Sequence, residues 1–206
     1  MKVACVSDIH GHLPIIPDCD LLLIGGDLCP RNRNQSDWLK NNFKPWIDSL
    51  SERMKIIGVA GNHDFIFQNN PQDVPNMNWT YLQDSVTEFN NFKIWGSPWQ
   101  PEFHNWAFNA FESDLKKKWN LIPDDVDILV LHGPPYKHGD FSPFGRVHTG
   151  SYSLLQKIME IQPKLVIAGH IHSGYGRYEI GNSTFLSCSY VDESYNPFYD
   201  IQTIEL

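Results

Sequence analysis

Seven residues able to bind a metal stand where apolar runs give way to polar sequence: Asp8, His10, Asp27, Asn62, His132, His170 and His172. They fall in five short segments, SDIHGH (7–12), GGD (25–27), GNHD (61–64), LHGPP (131–135) and GHIH (169–172). Carboxylate, imidazole and one carboxamide, without thiolate, form a borderline-hard donor set. It suits Mn2+, Fe, Zn2+ or Ni2+ better than a structural cysteine-type zinc site. Seven donors are too many for one ion, whereas two ions sharing a bridging carboxylate use all of them. Two carboxylates leave a pair of dications with excess positive charge, which favours a bound hydroxide and an anionic substrate. In extended chain, residues two apart point to the same side. Asp8 and His10 can then reach one ion together, as can His170 and His172 if the chain stays extended there. Gly25 and Gly26 precede Asp27, and Gly61, Gly133 and Gly169 adjoin other candidate ligands, so backbone and metal can approach closely.

The apolar runs that carry these residues are KVACVSDIH (2–10), DLLLIGGD (20–27), KIIGVAGNHD (55–64), DILVLHG (127–133) and KLVIAGHIH (164–172). Near-continuous Val, Ile and Leu of this length, followed by Gly or turn residues, predicts strands buried on both faces. In open α/β sheets, function collects beyond the carboxyl ends of strands, and all five ends carry Asp, Asn or His. Leu39, Phe43, Trp46, Ile47 and Leu50 repeat at helical spacing, with Pro45 expected to kink or interrupt that helix. A second helix is expected over 107–119. A third is expected from Ser151 through Leu154, Leu155 and Ile158, ending before Pro163. Alternating strands and helices imply an α/β fold. WTYLQDSVTEF and NFKIWGS, separated by Asn90-Asn91, read as a hairpin. Runs at 175–180, 184–189 and 199–206 add further sheet. The expectation is two packed sheets flanked by helices in a single domain, 1–206, without a linker.

The chain has 206 residues and 41% hydrophobic content, enough for one domain with a sizeable core. Its formal charge of −8, from 24 acidic and 16 basic residues, counts against nucleic acid as a partner. Cys5, Cys19, Cys29 and Cys188 show no C-x-x-C spacing and read as reduced, mostly buried thiols, with Cys29 near enough to the candidate site to be a sensitive one. The opening MKVACVSDIHGH lacks the apolar region of a signal peptide. No apolar run approaches the roughly 18 residues of a membrane span, so a cytoplasmic protein with no membrane partner is expected.

The order D-x-H, GD, GNHD, H, GHIH resembles that of the calcineurin-like metallophosphoesterases. YLQDS (81–85), IWGSPWQP (94–101), WNLIP (119–123), VDILVLHGPP (126–135) and GHIHSGYG (169–176) narrow the likeness to the MPPED-type branch, with positions 137–150 outside it. The resemblance implies a four-layer αββα sandwich of two mixed sheets flanked by helices. It implies a dinuclear-metal-dependent phosphoesterase in which a metal-bound hydroxide attacks phosphorus in line. On the same basis Asp8, His10 and His172 would hold one metal, Asn62, His132 and His170 the other, and Asp27 would bridge them. His63, with Asn62, would form the catalytic pair, His63 as general acid. Asp64 would either orient that ring or cap a turn. The expected cofactors are two Mn2+ ions, with Fe, Zn2+ or Ni2+ as alternatives. The expected partner is a small-molecule phosphoester, specifically a small or cyclic-nucleotide-like phosphodiester. The alternatives are a phosphomonoesterase or protein phosphatase, a nuclease, and a weakly active scaffold on the same fold.

Other polar and aromatic groups read as ordinary structure. FIF (65–67) and WQPEFHNWAFNAF (99–111) are expected to be core and loop packing in preference to a wall for a nucleobase or aryl leaving group. His104, His138 and His148 are expected on the surface or in loops. Arg31, Arg33 and Arg146 are expected in solvent, though each could contact phosphate. Lys116, Lys117 and Lys118 are expected to complement a helix dipole.

Overall fold

The computed structural model describes residues 1–31 and 34–206. The first sheet draws on β1 (Lys2–Val6), β2 (Leu21–Ile24), β3 (Lys55–Gly58) and β4 (Thr80–Tyr81). Next come β5 (Ser85–Phe89), β6 (Phe92–Ser97), the short pair β7 (Gln100–Pro101) and β8 (Asn109–Ala110), then β9 (Ile128–Leu131). The hairpin β10 (Phe141–Ser142) and β11 (Val147–His148) follows, then β12 (Leu165–Ala168), β13 (Gly176–Ile180), β14 (Ser183–Ser187) and β15 (Gln202–Glu205). One sheet has the order β15-β1-β2-β3-β4 and the other β13-β14-β12-β9-β6-β5. Both are mixed: β15 is antiparallel to β1 and β13 to β14, whereas β1, β2 and β3, like β6, β9 and β12, run parallel.

Side-chain alternation along the strands builds the layers. Val3, Cys5, Leu21, Leu23 and Ile57 from one sheet pack between the sheets with Ile94, Ile128, Val130, Leu165 and Ile167 from the other. The opposite faces take helices. Ala4, Val6, Leu22, Ile24 and Ile56 pack against Trp38, Leu39, Phe43, Ile47 and Leu50. Trp95, Leu129, Leu131, Val166 and Ala168 pack against Leu115, Trp119, Leu154 and Ile158. This is a four-layer αββα sandwich of two mixed sheets flanked by helices. Each fully buried aliphatic side chain contributes about 1.5–3 kcal/mol through removal from water, so strands covered on both faces dominate the stability.

Pro45 does not interrupt its helix. Helix α1 (Gln35–Trp38) passes through a π-helical turn (Leu39–Phe43) into α2 (Lys44–Ser51), whose first turn holds the proline. The Lys44 amide reaches back five residues to the Leu39 carbonyl. The extra residue in the turn carries the chain past the point where a proline ring would meet the carbonyl four residues earlier. A short helix, α3 (Phe65–Asn69), follows directly on the GNHD segment. The helix expected over 107–119 is shorter than its pattern. Phe108 adopts φ +54° and Asn109–Ala110 pairs with Gln100–Pro101, so α4 begins only at Glu112 and runs to Trp119. Ser151 caps α5 (Tyr152–Ile161) by accepting the Leu154 amide. Asn90 and Asn91 turn the hairpin with φ +48° and +63°. Only three residues separate β4 in the first sheet from β5 in the second. No described helix is long and apolar enough to cross a membrane.

Candidate metal centre

The five strands end at Val6, Ile24, Gly58, Leu131 and Ala168, short of the candidate ligands, which lie in the loops that follow, except that His172 opens a short 3-10 turn (His172–Gly174). Asp8, His10, Asp27 and His170 have φ of +53°, +42°, +52° and +70°, the left-handed region that non-glycine residues enter only at a cost. The extended-chain argument therefore fails. Asp8 and His10 still meet, but through a turn. His170 and His172 separate: His170 Nδ1 lies 2.6 Å from Asn62 Oδ1, while His172 Nε2 lies 3.3 Å from His10 Nε2. The strained loops are laced to one another. The amides of Asp8, His10 and Gly11 donate to the carbonyls of Gly26, Asp27 and Leu28 at 2.8–2.9 Å, and the Gly169 amide donates to the His132 carbonyl. Two glycines are required by contact. A Cβ on Gly61 would overlap Asp27, and one on Gly169 would overlap the Asp8 carboxylate.

Main-chain carbonyls set two of the imidazoles. His132 Nδ1 donates to the Gly25 carbonyl at 2.8 Å, and His172 Nδ1 donates to the Asp192 carbonyl at 2.8 Å. A carbonyl only accepts, so Nε2 of each ring carries a lone pair into the cluster. His132 Nε2 faces Asn62 Oδ1 at 2.7 Å and Asp27 Oδ1 at 3.6 Å. His172 Nε2 faces Asp8 Oδ1 at 3.6 Å, and His10 Nε2 faces Asp27 Oδ2 at 3.5 Å. Donor atoms lie within 4.8 Å of one another in each of three groups: Asp8, His10 and His172; His10, Asp27 and His63; Asp8, Asp27 and His132. His10 Nδ1 and Asn62 Nδ2 are buried with no partner. Lone pairs converging on lone pairs in a buried pocket need a cation, and this oxygen–nitrogen set fits a divalent one.

The electrostatics agree. Burial, then the neighbouring imidazoles His172 and His63, holds His10 well below the usual histidine range. Burial likewise lowers His132, and lowers His170 to about 3. These rings are neutral near pH 7, the form that ligates metal. Burial, with the carboxylates of Asp8 and Asp64 beside it, pushes Asp27 well above the usual carboxylate range. Burial acts upward on Asp8 too, but His172, His132 and the hydroxyls of Ser189 and Ser7 outweigh it and leave its pKa lowered. His63 falls to about 4 through burial, His132 and Arg31.

Asp64 caps and ties; it does not orient the His63 ring. Its carboxylate accepts the amides of Leu28 (3.0 and 3.1 Å), Cys29 (2.9 Å) and Gly61 (2.8 Å), joining the loop of Asp27 to that of Asn62. His63 is placed instead through its backbone. Its amide donates to Asp27 Oδ1 at 2.7 Å and its carbonyl accepts Gln35 Nε2 at 2.5 Å. Cys29 is fully buried and its thiol is pushed well up by burial and the Asp64 charge, so it is not a sensitive thiol. The four cysteines are free and buried. Ile66 and Phe67 are core, but Trp106 leaves the expected packing role, its ring 4.8 Å from that of His63. His148 bonds Asp140 at 2.7 Å, His138 the Tyr136 carbonyl at 3.0 Å, and His104 sits against Phe103; none joins the cluster. Arg31 lies over the Tyr195 ring at 4.5 Å, Arg146 is exposed on the β10–β11 hairpin, and Arg33 lies outside the described residues. Lys118 pairs with Asp84 at 2.8 Å and covers Trp99, beyond any dipole role.

Sequence reasoning missed the segment after β14. Ser189 Oγ donates to Asp8 Oδ2 at 2.8 Å, Asp192 supplies the carbonyl for His172, and the Tyr195 ring stands 4.7 Å from His10 and 5.2 Å from His172. No local signal in 189–195 marks these contacts. Asp27, Asn62, His63, His170 and His172 line a cavity of about 680 Å3 whose walls also include Phe103, Trp106, Phe144, Val147, Glu102 and Glu193.

A family model described as calcineurin-like phosphoesterase matches residues 1–174. Metallophosphoesterase domain-containing protein 1 of Homo sapiens is 35% identical over 95% of this chain and 68% of its own length. A Caenorhabditis elegans protein, UPF0046 protein C25E10.12, is 30% identical over 97% of this chain and 79% of its own length. A crystal structure of a Thermus thermophilus protein shares the fold, with TM-score 0.60 at 19% identity over 90% of this chain and 88% of that one. The matched span includes every residue of the cluster from Asp8 to His172, and the chain belongs to the calcineurin-like metallophosphoesterases, a family of metal-dependent phosphoric ester hydrolases, with its likeness in the MPPED-type branch.

Proposed function

We propose that this chain, acting as one metallophosphoesterase domain over 1–206, is a dinuclear-metal-dependent phosphodiesterase for small or cyclic-nucleotide-like diesters. Asp8, His10 and His172 would hold one cation, Asn62, His132 and His170 the other, with Asp27 between them. Mn2+ is the metal assumed in this reading, with Fe, Zn2+ or Ni2+ as alternatives, since the oxygen–nitrogen set accommodates all four. When bound, the two cations supply charge neutralisation at the phosphoryl oxygens and an activated water as nucleophile. The chain's own residues do the rest. Main-chain carbonyls of Gly25 and Asp192 hold His132 and His172 in the ligating tautomer. His63, its backbone fixed by Asp27 and Gln35, protonates the leaving oxygen. Burial favours the neutral ring, and a bound phosphate anion opposes this by favouring the imidazolium. Asn62, beside His63, completes the catalytic pair.

One observation carries the preference for diesters. The cavity above the cluster is walled by Phe103, Trp106, Phe144 and Val147, carries Glu102 and Glu193, and has no Lys or Arg among its described lining residues. Such walls suit a monoanionic diester bearing two organic groups better than a dianionic monoester. Buried, unpaired cysteines accord with the cytoplasmic location this reading assumes. The test is Mn2+-dependent hydrolysis of bis(p-nitrophenyl) phosphate against p-nitrophenyl phosphate, with His63→Ala and Asp27→Ala as controls. Preferential diester turnover, lost in both variants, is expected. Monoester preference would turn the assignment to a phosphomonoesterase. Absence of turnover with two ions bound would turn it to a scaffold.

A further inference from the structure

Beyond the metal cluster, two separate pieces of chain share the walls of the same cavity. One is the 101–106 loop, which brings Trp106 to 4.8 Å from the His63 ring, with Phe103 packed on Trp106 at 5.2 Å. The other is the β10–β11 hairpin, which presents Phe144 and Val147. These apolar groups are not spent on the core: Phe144 is 82% exposed, Val147 52% and Phe103 53%. Apolar side chains left uncovered beside a catalytic cluster have their apolar contact still to make.

The hairpin is held firmly at its base while its tip stays uncovered. Asp140, fully buried, accepts the amides of Lys137 (2.9 Å) and Gly150 (3.0 Å) and pairs with His148 at 2.7 Å. Its main-chain carbonyl accepts both the amide and the hydroxyl of Thr149. Two strand pairings, Phe141 with His148 and Ser142 with Val147, close the ribbon. A buried carboxylate with this many partners fixes where the hairpin leaves the body, so Phe144 and Val147 are carried to the cavity by a braced element.

We propose that the loop and the hairpin form a two-sided apolar vestibule that selects, among small diesters, open-chain phosphodiesters in which both ester groups are flat and uncharged. The assignment rests on the phosphodiesterase reading above. His63 delivers its proton to the leaving oxygen, so the leaving group lies on the side of Trp106 and Phe103. The retained ester group faces the rest of the cavity, where Phe144 and Val147 stand. Glu102 and Glu193 at the walls repel a second negative charge on either group. The hairpin is therefore a specificity element for the group that the reaction leaves on phosphorus.

Two substrates with the same leaving group isolate that side: bis(p-nitrophenyl) phosphate, which retains an aryl group, and methyl p-nitrophenyl phosphate, which retains a methyl. The measured quantity is the ratio of their kcat/KM values on the Mn2+-loaded protein, because intrinsic reactivity cancels when the ratio is compared between variants. Phe144→Ala with Val147→Ser is expected to lower the aryl-to-methyl ratio about tenfold, mainly through KM, as aromatic and apolar contact is lost. Phe144→Tyr, which keeps the ring, is expected to hold the ratio. Turnover of the methyl diester by each variant reports that it is folded. An unchanged ratio in an active double variant overturns the vestibule while leaving the phosphodiesterase reading intact. A wild-type protein that hydrolyses neither diester removes that reading, and the vestibule with it.

Discussion

Replacing Asp64 with alanine separates a structural tie from a catalytic orienting group. The carboxylate is fully buried and accepts the amides of Leu28, Cys29 and Gly61. Alanine leaves three buried N–H groups without an acceptor, at about 1–3 kcal/mol each. Part of this is returned, because the variant no longer buries a charge, a penalty visible in the raised pKa of Asp64, for which burial is the leading cause. The expected net loss is about 4 kcal/mol. A domain of this length loses roughly 2–4 °C per kcal/mol, so the melting temperature should fall by about 8–16 °C. Asp64→Asn keeps one acceptor oxygen and should lose about half as much. The tied loops carry Asp27 and Asn62, so divalent-cation affinity should fall in the same order. Thermal unfolding and metal titration, run on wild type and both variants, give the answer. If Asp64→Ala melts within about 2 °C of wild type, binds metal normally and loses only turnover with an altered pH profile, Asp64 acts on His63 and the structural tie is refuted.

Saturating Mn2+ at about a hundred times Kd should stabilise the fold by about 2.7 kcal/mol per site, and EDTA should remove that gain. A melting curve indifferent to both would mean the cluster holds no cation. Gly169→Ala should cost at least about 3 kcal/mol and abolish metal uptake, because a Cβ there overlaps the Asp8 carboxylate and the Ser7 side chain; a soluble variant with normal metal content refutes this. Asp127 gives the acid dependence. Burial acts to raise its pKa, but Lys164 at 2.9 Å and the Lys93 amide at 2.9 Å outweigh it, so the folded value lies below the ordinary 3.8. The unfolded chain then binds more protons in that window, so this contribution is complete above the ordinary value and is lost as pH falls through the folded one. Asp127→Asn should flatten the acid arm of urea stability below about pH 5; an unchanged arm would show the pair contributes nothing.

What could be read from residue order was whatever side-chain type and period encode. Five apolar runs, each covered on both faces, predicted five central strands. They fall three in one sheet (β1, β2, β3) and two in the other (β9, β12). Asn90-Asn91 announced the hairpin because few residues other than glycine tolerate two successive positive φ values. Periodicity misjudged 107–119, because Phe108 and Asn109 are apolar or neutral letters in a helical pattern while the chain there turns and pairs with Gln100–Pro101. Pro45 reads as kinking or interrupting its helix; the interruption is absent because a π-helical turn precedes the proline, and a one-residue π insertion is not a property of any residue type.

The same distinction runs through the site. Asp8, His10, Asp27, Asn62, His132, His170 and His172 could be singled out as candidates because donor chemistry is a property of their side chains, and the structure brings those side chains together. The groups that orient them could not. Gly25 and Asp192 act through main-chain carbonyls, which every residue has, and their contacts with His132 and His172 span 107 and 20 positions. Positive φ at Asp8, His10 and His170 replaces the extended geometry that simple alternation implies. It is this departure that separates His170 from His172 and brings His170 to Asn62. Letters that name the candidate ligands therefore identify the donor chemistry available, while which donors meet depends on turns that the sequence pattern of a strand misstates. Asp192→Ala keeps the carbonyl but removes the Oδ1 that accepts the Ser194 and Asn196 amides, so the His172 contact should weaken as that turn loosens; Asp192→Asn, which keeps an acceptor oxygen, should preserve it, and metal titration of the two variants tells them apart.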